Sequence, residues 1–181
     1  NFDGSGKHYL LEGEQGYHKF WGTKCFDYGN YETLRFLLSN LRYYAKEFGF
    51  DGFRFDAVSS MMYFHHAIDN FNFGYEHCFS DDIDDNALTY LGLVNILIHS
   101  NDMKCISIAE DISAYPCLCW PIEEGGIGFD YRFLLESPYI WIDYILGNVR
   151  DEDWSVNHIQ GILQHRRQGE KLINYVACHD Q

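Results

Sequence analysis

Positive charge is what this sequence has least of. Thirteen Lys and Arg stand against 27 Asp and Glu, a formal net charge of −14. That balance argues against nucleic acid, whose phosphates need basic partners. No apolar run reaches the roughly 18 residues of a membrane span. No secretory leader is visible, and the first residue is Asn1 rather than Met, so the chain reads as part of a longer one. No internal repeat is evident. The six cysteines, Cys25, Cys78, Cys105, Cys117, Cys119 and Cys178, form no C-x-x-C pair, and Cys117-Leu118-Cys119 is too tight for a usual zinc knuckle. Scattered thiols fit a reducing compartment. The expectation is a cytoplasmic protein, with a plastid as the alternative.

Aromatic residues, in contrast, make up 18% of the chain. Most belong to a core and some could be platforms for sugar rings; composition does not separate the two. Residues 1–29 are rich in Gly and aromatics without helical period and read as a long loop. Asn30 is an expected N-cap for a helix carrying Leu34, Leu37, Leu38, Leu41, Ala45 and Phe48, with Gly49 as its stop. Glu32 and Arg35 fall in its first turn, either as solvated surface or as ligand contacts. The acidic run Asp81 to Asp85 lacks the Gly and terminal Glu of a calcium loop and reads as helix initiation. A helix from about Asn86 to His99 follows, with Leu88, Leu91, Val94, Leu97 and Ile98 as its apolar stripe. Further helical patterns occupy Tyr139 to Leu146 and Val156 to Arg166.

Between them lie apolar segments that read as buried strands, and three of them run into acids. Phe53-Arg54-Phe55-Asp56 alternates, which places Arg54 and Asp56 on one face. Such a pair is either a structural ion pair or a carboxylate held ionised by a guanidinium for nucleophilic attack. Cys105 to Ala109 ends at Glu110-Asp111; adjacent residues face opposite ways, so only one of these two can enter the cleft that holds Asp56. Phe129-Asp130-Tyr131-Arg132 reads as another strand, and Leu172 to Cys178 as a last one, ending at His179-Asp180. Strands separated by helices imply a parallel sheet. His65, His66 and His77 invite a metal reading, but adjacent histidines diverge and no acid stands at ligand spacing. Structural histidines and no metal are the expectation.

Gly52-Phe53-Arg54-Phe55-Asp56 resembles the nucleophile strand of the α-amylase superfamily. The longer string FDGFRFDAVSSMMYFHHAI resembles the 1,4-α-glucan branching enzymes of eukaryotic type. So do EGEQGYHKFWGTKCFDYGNYETLRFLLSNLR upstream, and AEDISAYPCLCWPIEEGGIGFDYR and YVACHDQ downstream. AVSSMMY stands where the family has GVTSMLY, and His77-Cys78 where it has an acidic–aromatic pair. The resemblance implies an α/β fold, the central portion of a (β/α)8 barrel, with residues 1–181 all within that catalytic domain; a complete barrel needs about 250 residues. It implies no cofactor.

It also implies roles. Asp56 is the nucleophile, Glu110 the acid/base, and Asp180 the third carboxylate, stabilising an oxocarbenium-like transition state. Arg54 supports Asp56, and His179 binds the hydroxyls of the sugar under attack. Glu32 and Arg35 are implied glucan contacts, and Gly16-Tyr17-His18 and Trp21 belong to a region that lies over the active-site face in the family, either near substrate or as loop residues packed on their own barrel. Apolar residues immediately before Glu110 would raise its pKa. The partner implied is an α-glucan: glycogen, amylose or amylopectin. Attack of a sugar 6-hydroxyl on the covalent glucosyl-enzyme makes an α-1,6 branch, and attack of water makes an amylase. The catalytic three alone do not choose, and the flanking motifs favour branching. A hydrolase, or a glucan-binding chain without turnover, are the alternatives.

Overall fold

The computed structural model describes residues 8–67, 75–113, 115–164 and 168–180. After a single turn of 3-10 helix at Glu14–Gly16, β1 (Tyr17–His18) and β2 (Thr23–Lys24) pair antiparallel as a short ribbon. The expected featureless loop therefore carries local order. The ribbon is too short and too polar for a period-two pattern to show in sequence.

Helix α1 (Tyr31–Phe48) starts and stops where its residues dictate. The Asn30 side chain accepts from the Glu32 amide, and Gly49 takes the left-handed conformation at the other end. Only Leu41 and Thr33 on this helix are buried, and Phe48 is exposed, contrary to its place in the expected stripe. Strand β3 (Gly52–Phe55) leads to the short helix α2 (Val58–Met62). Helix α3 (Asp85–Ile98) begins at Asp84, whose side chain accepts from the amides of Asn86 and Ala87. The acidic run does initiate a helix. Leu91, Val94 and Ile98 are fully buried, and α3 packs against α1 and α2.

Strand β4 (Ile106–Ala109), strand β5 (Tyr131–Phe133), helices α4 (Glu136–Ile145) and α5 (Val156–Leu163), and strand β6 (Leu172–Ile173) complete the chain. The four strands β3 to β6 form one sheet in sequence order, every pair parallel. The chain is thus mixed α/β around a parallel sheet. Gly52 sits opposite Ile106, and a Cβ there would fall 2.4 Å from the Ile106 side chain. The glycine is what lets β3 approach β4 in register.

The expected burial or extent of three strands and of the last helix needs correction. Strand β3 is only half-buried, because it lies at the edge of this sheet with a neighbour on one side. Strand β5 begins at Tyr131 rather than Phe129, because the Asp130 side chain accepts from the Ser107 amide and holds the entry out of the ladder. Strand β6 spans only Leu172–Ile173, so Asp180 lies on the turn after it rather than at a strand end. Helix α5 stops at Leu163, and Arg166, expected in it, lies outside the described residues.

The core is a single cluster of Val58, Met62, Tyr63, Tyr90, Leu91, Val94, Ile98, Cys105, Ala109, Leu118 and Phe129, with Leu41 at its edge. No disulfide joins the cysteines.

Candidate active site

The site is built where β3 and β4 end side by side. The Glu110 amide donates to the Phe55 carbonyl at 2.9 Å, and the Val58 amide donates to the Glu110 carbonyl at 2.8 Å. Asp56 and Glu110 are therefore the first residues past two hydrogen-bonded neighbouring strands. Between Asp56 and α2 the chain turns through Ala57, a non-glycine residue in the left-handed region (φ 47°, ψ 51°). That turn points the Ala57 amide at the Glu110 carboxylate, to which it donates. No side-chain pattern could have flagged this contact, because the donor is backbone.

Arg54 forms an ion pair with Asp56, and its other terminal nitrogen stands 4.0 Å from Asp180. The guanidinium lies over the Phe133 ring of β5, 5.1 Å from its centroid. One planar cation thus spans two carboxylates and is backed by an aromatic face, a task for which arginine is suited and lysine is not. His179 Nε2 is 3.3 Å from Asp180 and 3.7 Å from Asp56. Asp56, Glu110 and Asp180 line one open cleft of about 360 Å³, together with Ala57, Ser59, Ser60, Ile112, His18, Phe20, Trp21, His66 and Ala67. The structure brings all three acids, Arg54 and His179 together.

The two principal acids differ in setting. Burial pushes the Glu110 carboxyl above the ordinary glutamate range; the Ala57 amide and Arg54 pull the other way, and neighbouring Asp56 adds to the rise. Asp56 has a side chain more than half exposed and carries the contact to Arg54. A protonated Glu110 beside an ion-paired Asp56 is an arrangement able to give a proton and to offer a nucleophile in one cleft.

Glu110 and Asp111 do part company as adjacent residues should. Asp111 turns inward, with its side chain wholly buried 3.6 Å from the Arg132 guanidinium of β5. Arg132 also pairs with Glu170 at 3.1 Å and donates to the Tyr115 carbonyl. This buried network links the segment after β4 to β5 and to residue 170 ahead of β6. Its Glu170 end carried no sequence signal, since only the fold brings residue 170 next to residue 132.

Glu32 and Arg35 are placed elsewhere. They form an exposed ion pair at 2.5 Å on the first turn of α1, in a groove with Tyr9, Phe36 and Ser39 that shares no residue with the cleft of the three acids. Of the histidines, His66 lines the cleft and its Nε2 stands 3.7 Å from the Cys25 thiol, while the His77 Nε2 is 4.0 Å from Glu76. Among the described residues one trio, Cys178, His179 and Asp180, puts ligand atoms within 4.8 Å of one another. The three are consecutive on one turn, and the Arg54 guanidinium beside Asp180 disfavours a second cation there.

No protein-family model matches the chain. It is 48% identical over 181 residues to a 1,4-alpha-glucan-branching enzyme of Rhizophagus irregularis, covering 99% of this chain and 26% of that protein. A Solanum tuberosum protein of the same name is 50% identical over 179 residues, 98% of this chain and 21% of the relative. One from Equus caballus is 46% identical over 181 residues, again 99% and 26%. The chain spans about a quarter of the length of the relatives it matches. Over nearly its whole length, therefore, the chain resembles one continuous segment of the 1,4-alpha-glucan-branching enzymes of eukaryotes.

Proposed function

We propose that this chain forms the central part of the catalytic (β/α)8 barrel of a 1,4-α-glucan branching enzyme. What carries the reading is the placement of Asp56 and Glu110 immediately past two adjacent parallel strands, with Asp180 on the same cleft. Catalytic groups of such barrels gather at the C-terminal ends of their strands. The names of the relatives supply the branching activity, and the geometry supports the division of labour.

Asp56 attacks the anomeric carbon of an α-1,4-linked glucosyl unit while protonated Glu110 gives its proton to the departing 4-oxygen. The C–O bond to the leaving chain breaks as the bond to the Asp56 oxygen forms, with inversion at carbon. Glu110, now ionised, takes the proton from a 6-hydroxyl of the acceptor chain. That oxygen displaces Asp56 with a second inversion, giving an α-1,6 branch with net retention. Asp180 stabilises the oxocarbenium-like charge, and His179 binds hydroxyls of the same sugar. Arg54 fixes Asp56 toward the carbon. Glu32 and Arg35, with Tyr9 and Phe36, contact a remote stretch of the glucan. The substrate class is glycogen or starch glucan. The acidic charge balance supports a protein that works without nucleic acid. No described helix is long and apolar enough to cross a membrane, and the setting proposed is cytoplasmic, without cofactor.

The test is to incubate the full-length polypeptide that contains these residues with amylose. New α-1,6 linkages, released by a debranching enzyme, are expected at constant reducing-end count. Reducing ends rising without branches would identify a hydrolase. Glucan binding without either change would leave only a binding protein.

A further inference from the structure

The cleft has a wall that the chemistry above does not use. Strands β1 and β2 are joined by a turn carrying Phe20 and Trp21, closed by the Gly22 amide donating to the His18 carbonyl at 2.8 Å. Gly22 takes φ 66° there, which glycine permits at no steric cost. Within this turn the Trp21 amide donates to His18 Nδ1 at 3.1 Å. The Trp21 and His18 rings lie nearly parallel, 6° apart, with centroids 3.8 Å from each other.

These contacts fix more than position. Nδ1 accepts, so the proton of the neutral imidazole resides on Nε2. Burial holds the ring below the ordinary histidine range, and neighbouring His66 acts in the same direction. His18 is 3% exposed, and among the described residues its Nε2 has no hydrogen-bond partner. Trp21, in contrast, is 51% exposed although one face is seated on His18, and both residues line the cleft with the three carboxylates. A large aromatic plane, fixed from behind and open in front, presents a flat apolar surface beside charged groups. The C–H face of a glucose ring matches such a surface, and its peripheral hydroxyls match the polar rim.

We propose that Trp21, seated on His18, is a stacking platform for a glucosyl unit of the α-glucan next to the unit under attack, and that His18 is the residue that positions it. This rests on the α-glucan reading of the cleft. It adds a binding subsite to that reading, contributed by the β1–β2 turn rather than by the sheet.

The experiment uses the full-length protein carrying Asp56→Asn, so that no turnover occurs, and titrates maltoheptaose by calorimetry. Trp21→Phe keeps an aromatic plane and is expected to bind within about threefold of the parent. Trp21→Leu keeps bulk and loses the plane; its affinity should fall about tenfold, the equivalent of roughly 1.4 kcal/mol. His18→Ala should weaken binding similarly, and His18→Phe, which restores a flat support, should recover most of it. Equal affinity for the Phe and Leu variants would overturn the platform, and His18→Ala binding like the parent would overturn the positioning role. The full-length protein carrying Glu110→Gln, in which the glucosyl-enzyme should accumulate, incubated with α-glucosyl fluoride separates the two levels. A covalent adduct together with equal binding by the Phe and Leu variants sinks this subsite alone. No adduct and no maltoheptaose binding sinks the α-glucan reading and the subsite with it.

Discussion

The amide of Ala57 donates to the carboxylate of Glu110, so the residue directly after Asp56 holds the acid on the neighbouring strand. The relation ties the two carboxylates to one backbone turn. A shift of that turn moves both groups together.

Ala57 makes that turn in the left-handed region, where a Cβ costs roughly 1–2 kcal/mol. Ala57→Gly should relieve this and retain the amide. After the larger unfolded-state entropy of glycine is subtracted, a gain of about 0.5–1 kcal/mol is expected. Denaturant unfolding of the full-length protein would show a higher midpoint. An unchanged or lower midpoint would mean that neighbouring contacts already absorb the strain.

The raised pKa of Glu110 sets the pH dependence. Its protonated form is favoured in the fold, so its contribution to stability is present at low pH and is lost as pH rises through the folded value. In the proposed mechanism activity follows the same sign, because Glu110 has to be protonated to release the glucan oxygen. The kcat/KM for amylose should fall on the alkaline side with an apparent pKa above that of a free glutamate. A glucosyl fluoride, whose leaving group needs no proton, should not show that limb in the first step. The same limb with both substrates would remove Glu110 from the acid role.

Substitution separates the two acids. Asp56→Asn keeps the shape of the side chain and removes the attacking charge, so no covalent adduct should form. Glu110→Gln removes the acid, yet α-glucosyl fluoride should still glycosylate Asp56 and accumulate as an adduct visible by mass spectrometry. An adduct on the Asp56→Asn protein, or one mapped to Glu110 in the wild type, would reverse the assignment.

Arg132 is the buried partner of Asp111 and Glu170. Arg132→Met would leave both carboxylates buried without the guanidinium, a loss of about 3–5 kcal/mol. Adding Asp111→Asn and Glu170→Gln should restore part of it, since neutral amides cost less to bury. A single variant as stable as the wild type would mean that water reaches this network.

Much of this was legible in the sequence wherever chemistry is local. Asn30, Gly49 and the acidic run from Asp81 to Asp85 announced helix ends because such signals depend on a few adjacent residues. Arg54, Asp56 and Glu110 stood out because charge at the end of an apolar strand is costly without purpose. Phe133 under Arg54, and Glu170 beside Arg132, were not legible: each meets its partner only once β5 and β6 are laid beside the earlier strands. The extent of β6 was overread for a related reason. Leu172 to Cys178 has strand-forming composition, but the short β5 leaves it few positions to pair with, and Asn174 instead contacts the Leu163 carbonyl at 3.5 Å.

The order of the sheet also bears on how the chain is made. Each strand from β3 to β6 pairs with the next one in sequence, so every pairing becomes available soon after its second strand emerges from the ribosome. The Asp56–Glu110 half of the cleft can close while the segment bearing His179 and Asp180 is still being synthesised. Arrest of translation between β4 and β6 would yield a nascent chain that holds Asp56 and Glu110 without Asp180. A lesion in β3 or β4 would remove the template before any later strand arrives, whereas one near Asp180 would spare it.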